Sequence, residues 1–274
     1  MDPLQIIFLG IVQAITEWLP LSSKTMDTLA YTRIFGGSMD NVVPLLLFLH
    51  IGTLCAAAIY FRREILEVAR EFLSAPLDIE KHKRGKVGFL TTAIVFTGIV
   101  GVPILVIEKF LLPSLSMNLL LSLMGAGLIV TGFLLTTHKK DRWRTTESSS
   151  WKDGILTGAL QGLSTIPGVS RAGCSTTGLI WRGFDAESAF HLSFLLSIPT
   201  VFIAEMVVWG AQMVMGGTPA PLPLADGLAL MLSSFVFGYI TIDVLLKIAH
   251  KINVASLAFI FGIMMLIFGI IGLG

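Results

Sequence analysis

Residues 41–61 read Asn-Val-Val-Pro-Leu-Leu-Leu-Phe-Leu-His-Ile-Gly-Thr-Leu-Cys-Ala-Ala-Ala-Ile-Tyr-Phe, twenty-one positions without a Lys, Arg, Asp or Glu. Length is what gives such a run meaning, because a helix crossing a bilayer needs roughly 20 apolar residues. Residues 87–107, 117–137 and 253–274 lack the same four residue types. Residues 188–209 and 227–246 carry one carboxylate each, Glu205 and Asp243. Charged residues are 14% of the chain, against about 25% in ordinary globular proteins, and the mean hydropathy is +0.83. The fold class this predicts is an all-α polytopic membrane protein with six full spans.

The net charge of +1 offers nothing to a nucleic acid. Cys55 lies in an apolar run and Cys174 in a polar segment, so neither a disulfide nor a thiolate metal site is expected. The chain is apolar from Leu4 but has no basic segment before it and no small-residue cleavage site, so this stretch reads as mature structure.

Loops rich in Lys and Arg stay on the cytoplasmic side. The loop at 62–86 holds seven such residues, that at 138–153 holds five, and 247–252 holds Lys247 and Lys251. The alternate loops are poor, with only Lys109 in 108–116 and none in 210–226. The alternation sends the first span from outside to inside and places the C-terminus outside.

Two further apolar stretches are too short to span. Residues 4–19 stop at Pro20 and residues 154–166 at Pro167; proline removes a helix donor and clashes with the preceding turn. Half-helices that break beside polar residues are the pattern of re-entrant hairpins, which survive only where protein or a water-filled cavity surrounds them. The stretches also match each other. Gly10, Gln13, Ile15 and Thr16 parallel Gly158, Gln161, Leu163 and Ser164; after a one-residue slip, Pro20, Ser23 and Lys24 parallel Pro167, Ser170 and Arg171. The expected organisation is two halves. Residues 1–137 hold a hairpin over 4–36 and spans 41–61, 87–107 and 117–137; residues 138–274 hold a hairpin over 154–185 and spans 188–209, 227–246 and 253–274. An odd number of spans per half inverts the second, so the hairpins enter from opposite faces and meet near the midplane.

Both hairpins carry polar residues. Gln13 and Glu17 are four apart and share a helix face. An ionisable group within the membrane is costly and marks function, although Glu17 could also pair with Lys24 or Arg171 merely to close the hairpin. In Pro167-Gly-Val-Ser-Arg-Ala-Gly-Cys-Ser175 an arginine follows the helix break among glycines and hydroxyl residues. Glycines admit a ligand close to the backbone, a helix N-terminus favours an anion, and arginine grips oxygens bidentately. Such a set suits a phosphate or diphosphate. The candidate phosphate-binding residues are Ser22, Lys24, Ser170, Arg171, Gly173 and Ser175, supported by Gln13, Gln161 and Thr177. The Gly154, Gly158 and Gly162 stripe is a helix-packing feature.

The stretch from Gly10 to Thr25, with Thr16-Glu-Trp-Leu-Pro-Leu-Ser-Ser23 at its centre, resembles the first signature of the undecaprenyl-diphosphate phosphatase family of bacitracin-resistance type. Pro167–Gly173 resembles the second signature, and Ser193-Phe-Leu-Leu-Ser-Ile-Pro199 also matches. The resemblance implies re-entrant helices in inverted repeats and a place in the plasma membrane. The activity it implies is removal of the terminal phosphate of a polyprenyl diphosphate, regenerating the lipid carrier for envelope glycan assembly, with Mg2+ or Ca2+ assisting. It further implies that Glu17 is a catalytic carboxylate and metal ligand, Ser23 the nucleophile, and Ser170 and Arg171 the phosphate-binding pair. The expected partners are the lipid and the bilayer, with a homodimer left open.

Three positions depart from that pattern: Gln13 and Met26 replace a glutamate and a histidine, and Ala172 replaces a serine. A neutral amide weakens a metal site, and methionine cannot move a proton, so weak hydrolysis is expected. His50 and His191 are the intramembrane histidines that could stand in, although a lone membrane histidine is commonly a packing residue. Glu205 could line a pathway. The alternative function is a flippase or transporter of a polyprenyl phosphate or related phospholipid.

Overall fold

The computed structural model describes residues 1–76, 78, 80, 83–111, 115–137, 143–214, 222–248 and 253–271. Every regular element among them is a helix: α1 (Pro3–Trp18), α2 (Ser23–Leu29, running on as a π turn over Ala30–Ile34), α3 (Val42–Tyr60), α4 (Arg62–Ser74), α5 (Lys86–Leu111), α6 (Met117–Thr136), α7 (Trp151–Gly162), α8 (Arg171–Trp181), α9 (Ala186–Val214), α10 (Leu224–Ile248) and α11 (Val254–Ile271). Helices α3, α5, α6, α9, α10 and α11 are long and apolar enough to cross a membrane. Large apolar side chains such as Ile99, Phe133, Phe202, Ile240 and Ile270 stand exposed on their outer faces, an arrangement that marks a membrane surface.

Glycines let these helices approach closely. A Cβ at Gly10 on α1 would strike Ser233 on α10. On α7, Cβ atoms at Gly154, Gly158 and Gly162 would strike Thr92, Ala93 and Val100 of α5, so the stripe read from the sequence packs on that helix. Gly125 of α6 and Gly262 of α11 lie against each other's carbonyls.

Two breaks position the site. α1 is capped by Asp2, whose side chain accepts the Leu4 N–H at 2.9 Å, and it stops just short of Pro20. α7 gives way to a 3-10 turn over Leu163–Thr165 and then to a tight turn closed by Val169 N–H donating to the Ile166 carbonyl at 3.0 Å. Gly168 takes φ +88° there, as the third position of a type II turn requires, and a Cβ at Gly168 would strike the Met124 carbonyl of α6. Ser170 N–H donates to Thr131 Oγ1 at 3.0 Å, which ties this loop to α6.

Asp153 closes the base of the α7–α8 pair. It is fully buried, takes two bonds from Arg144 at 2.9 and 2.7 Å, one from Arg182 Nε at 2.6 Å and one from Ser150 at 2.7 Å. A buried carboxylate is tolerable only with such full compensation.

One helix was not anticipated. The charge pattern makes residues 62–86 a loop, yet α4 occupies Arg62–Ser74. Its Ile65, Val68, Ala69 and Phe72 line one wall of an apolar cavity of about 800 Å³ between α3, α5 and α9. Their spacing is that of an amphipathic helix face, which the basic residues around them obscured.

Candidate active site

The last turn of α1 carries Glu17 to the point where the Leu19–Ser22 and Ile166–Ser170 loops adjoin. Ser23 opens α2 and donates its hydroxyl to Glu17 Oε2 at 2.7 Å. Arg171 opens α8 and donates through Nη2 to Glu17 Oε1. Gln13, one turn earlier on α1, donates Nε2–H to Glu17 Oε2 at 3.3 Å and to Thr53 Oγ1 at 3.2 Å. The two loops are joined directly, since Ser170 Oγ donates to the Leu21 carbonyl at 3.1 Å. Ser170 also caps α8 by accepting the Gly173 N–H at 3.2 Å.

Around these groups lies a cavity of about 110 Å³, several times what one water needs. Its walls include Glu17, Ser22, Ser23, Lys24, Gln161, Ser170 and Arg171, brought together from two hairpins. His50 of α3 and Glu205 of α9 also reach it. His50 Nε2 is 3.7 Å from Glu17 Oε2, and Nδ1 is 3.8 Å from Glu205 Oε1. Because Nδ1 lies 2.7 Å from the Leu46 carbonyl, it must carry the hydrogen. Nε2 is thus the ring nitrogen turned toward Glu17.

Residues 6–271 match the family described as Bacitracin resistance protein BacA. The chain belongs to the BacA family. It is a multi-pass membrane protein. Undecaprenyl-diphosphatase of Methanococcoides burtonii is 36% identical over 252 residues, covering 90% of this chain and 91% of that one. Undecaprenyl-diphosphatase of Haloarcula marismortui is 35% identical over 266 residues, covering 96% of each. That of Sulfurisphaera tokodaii is 31% identical over 264 residues, covering 96% of this chain and 95% of its own.

For this BacA-family chain, other residues singled out in the sequence lie away from the cavity. Ser175 Oγ is 2.6 Å from Ser193 Oγ and donates to the Arg171 carbonyl, so it joins α8 to α9. Gly173 packs against Thr131, which a Cβ there would strike. Thr177 is buried on α8 and does not line the cavity. His191 sits in another cluster, with Nε2 2.8 Å from Glu64 Oε2. It does not line the cavity, whereas His50 and Ser23 both do. Met26 packs with Leu121, Met124, Leu128 and Met265; its side chain faces α6 and α11 rather than the cavity.

The sequence reading missed Thr97 and Thr200, which line the cavity from α5 and α9. Thr200 bonds the Leu196 carbonyl of its own helix at 2.8 Å. A lone threonine in an apolar run can always satisfy itself that way, so it leaves no signal in the sequence.

Proposed function

We propose that this protein is an integral membrane phosphatase that removes the terminal phosphate of an undecaprenyl-type polyprenyl diphosphate and so recycles the lipid carrier. One observation carries the reading: the Ser23 hydroxyl is hydrogen-bonded to Glu17 Oε2 while Arg171 holds Oε1, at the wall of a polar cavity. The names of the relatives favour hydrolysis over the flippase alternative.

Arg171, Lys24 and the N-terminal turn of α8 receive the diphosphate, with Ser22, Ser170 and Gln161 beside them. Ser23 Oγ attacks the terminal phosphorus and its proton passes to Glu17 Oε2. The bond from that phosphorus to the bridging oxygen breaks, and the polyprenyl monophosphate leaves with the electron pair. Water then attacks the phosphoserine, and its proton passes by way of His50 Nε2 to the phosphate. Glu17 returns its proton to the departing Ser23 oxygen, and inorganic phosphate leaves. A base already in contact with the nucleophile makes a histidine at position 26 unnecessary to the first step.

Mg2+ or Ca2+ remains part of the proposal. Among the described residues no three His, Cys, Asp or Glu converge on one point. Mg2+, however, is commonly held by one or two carboxylates together with substrate phosphates, so Glu17 and the diphosphate's own oxygens would hold it. It would neutralise charge on the phosphates.

The inverted repeat belongs to the same reading. α1 packs on α10 as α7 packs on α5, and α6 pairs with α11, as exchange of the two halves requires. With basic loops kept in the cytoplasm, α1–α2 enters from outside, α7–α8 from inside, and the C-terminus lies outside. Release of inorganic phosphate from a polyprenyl diphosphate by the purified protein, with and without Mg2+, tests the function. Lipid movement across vesicles without phosphate release would replace it with transport.

A further inference from the structure

The first hairpin contains a set of acceptors with no donor. Leu9, Gln13 and Glu17 recur at four-residue intervals on α1, as Ser23, Asp27 and Tyr31 do along α2 and its π turn. The two rows run antiparallel. At one end Ser23 bonds Glu17; at the other Ala30 and Tyr31 share an apolar cluster with Ile6 and Leu9. The two ends set a register that aligns Gln13 with Asp27 in the middle. Both are fully buried. Neither carboxyl oxygen of Asp27 has a hydrogen-bond partner, and neither has Gln13 Oε1, while Gln13 Nε2 is spent on Glu17 and Thr53. Three buried acceptors with no hydrogen among them are costly, and an ionised carboxylate there would be costlier still.

We propose that Asp27 is a positioning residue for the hydrolysis: in its acid form it donates to Gln13 Oε1 and so fixes the Gln13 amide with Nε2 on Glu17 Oε2. The proposal rests on the phosphatase reading above. The resulting chain runs from Asp27 O–H to Gln13 Oε1, and from Gln13 Nε2–H to the same Glu17 oxygen that receives the Ser23 proton. No proton crosses the amide; its role is to aim the carboxylate. The charged or titratable groups around this row are Glu17 on α1, His50 on α3, Arg171 on α8, and Lys24 and Tyr31 on the helix of Asp27 itself. Gln13, which departs from the glutamate that the resemblance implies, acquires a reason, because an amide can both accept from Asp27 and donate to Glu17.

Two substitutions and one spectrum test this. Asp27→Asn retains a donor for Gln13 Oε1, and its activity should stay near that of the wild type. Asp27→Leu removes the donor and should lower kcat by about 10–100-fold, the usual cost of an outer hydrogen-bond partner, with KM little changed. Its melting temperature should fall modestly, since Gln13 Oε1 is left buried without a donor. Infrared spectra of the wild type at neutral pH should contain a protonated-carboxyl band that Asp27→Asn lacks. The absence of that band, equal impairment of both variants, or full activity in Asp27→Leu each overturns the proposal. A wild type that releases no phosphate defeats the phosphatase reading, and the positioning role with it. An active wild type with any of the three adverse results defeats the role of Asp27 alone.

Discussion

Ser23 Oγ lies 2.7 Å from Glu17 Oε2, and the other oxygen of that carboxylate is held by Arg171 from the second hairpin. The proposed nucleophile and proton acceptor are thus in contact before substrate arrives. If Ser23 is the nucleophile, rapid quenching of turnover on a diphosphate labelled in its terminal phosphate will leave label on the wild-type protein. Ser23→Ala will retain none and will not turn over. Label that persists on the alanine variant would move the attack to another atom.

In the proposed mechanism Arg171 carries the phosphate. Arg171→Ala is expected to weaken substrate binding by roughly 2–5 kcal/mol, the range for truncating one partner of a desolvated charge pair. Arg171→Lys will recover only part of this, since an ammonium cannot present the guanidinium fork. Titration of the purified variants with a polyprenyl diphosphate measures both, and unchanged affinity in the alanine variant would remove the clamp.

Met26 and His50 separate two accounts of the proton. From the resemblance alone, restoring a histidine at position 26 should raise the rate. In the structure that side chain sits among Leu121, Met124, Leu128 and Met265. Met26→His is therefore expected to cost stability, about 1–3 kcal/mol for a polar group buried without a partner, and to give no gain in kcat. His50→Ala should lower kcat by about 10²–10⁴-fold. A faster Met26→His enzyme would reverse the assignment.

How much of this was legible in the sequence depends on the kind of signal. The spans were readable because run length alone sets them; Lys86–Glu108 and Met117–Thr136 match the expected 87–107 and 117–137 almost to the residue. The helix breaks were readable at Pro20 and Pro167 because proline acts locally. Direction was not. Spacing places Met26 three residues after Ser23 but does not say that this face meets α6. Nor does it say that His50 approaches Glu17 while His191 meets Glu64, for those distances are set by how α3, α4 and α9 cross. Ser175 was placed in the phosphate site by its motif, yet its hydroxyl is committed to Ser193.

The Glu64 cluster gives a pH signature outside the catalytic cavity. Burial by itself raises the Glu64 carboxyl, but hydrogen bonds from His191 and Lys86 override it and hold the group at about 2, against an ordinary 4.5. A depressed folded value means the stabilisation is complete above 4.5 and drains away as pH falls through about 2. It is worth at most about 3 kcal/mol. The wild-type melting temperature should therefore decline across that window, and Glu64→Gln should flatten the decline. An identical slope in both proteins would mean that the cluster does not fasten α4 to α5 and α9.

The most direct test of the account is inorganic phosphate release by the purified protein in detergent with a polyprenyl diphosphate, run beside Glu17→Gln. The account predicts catalytic turnover by the wild type and a fall of about 10²–10⁴-fold in kcat for the variant, which loses the acceptor for the Ser23 proton. Turnover by Glu17→Gln at the wild-type rate, or none by the wild type with Mg2+ supplied, would contradict it.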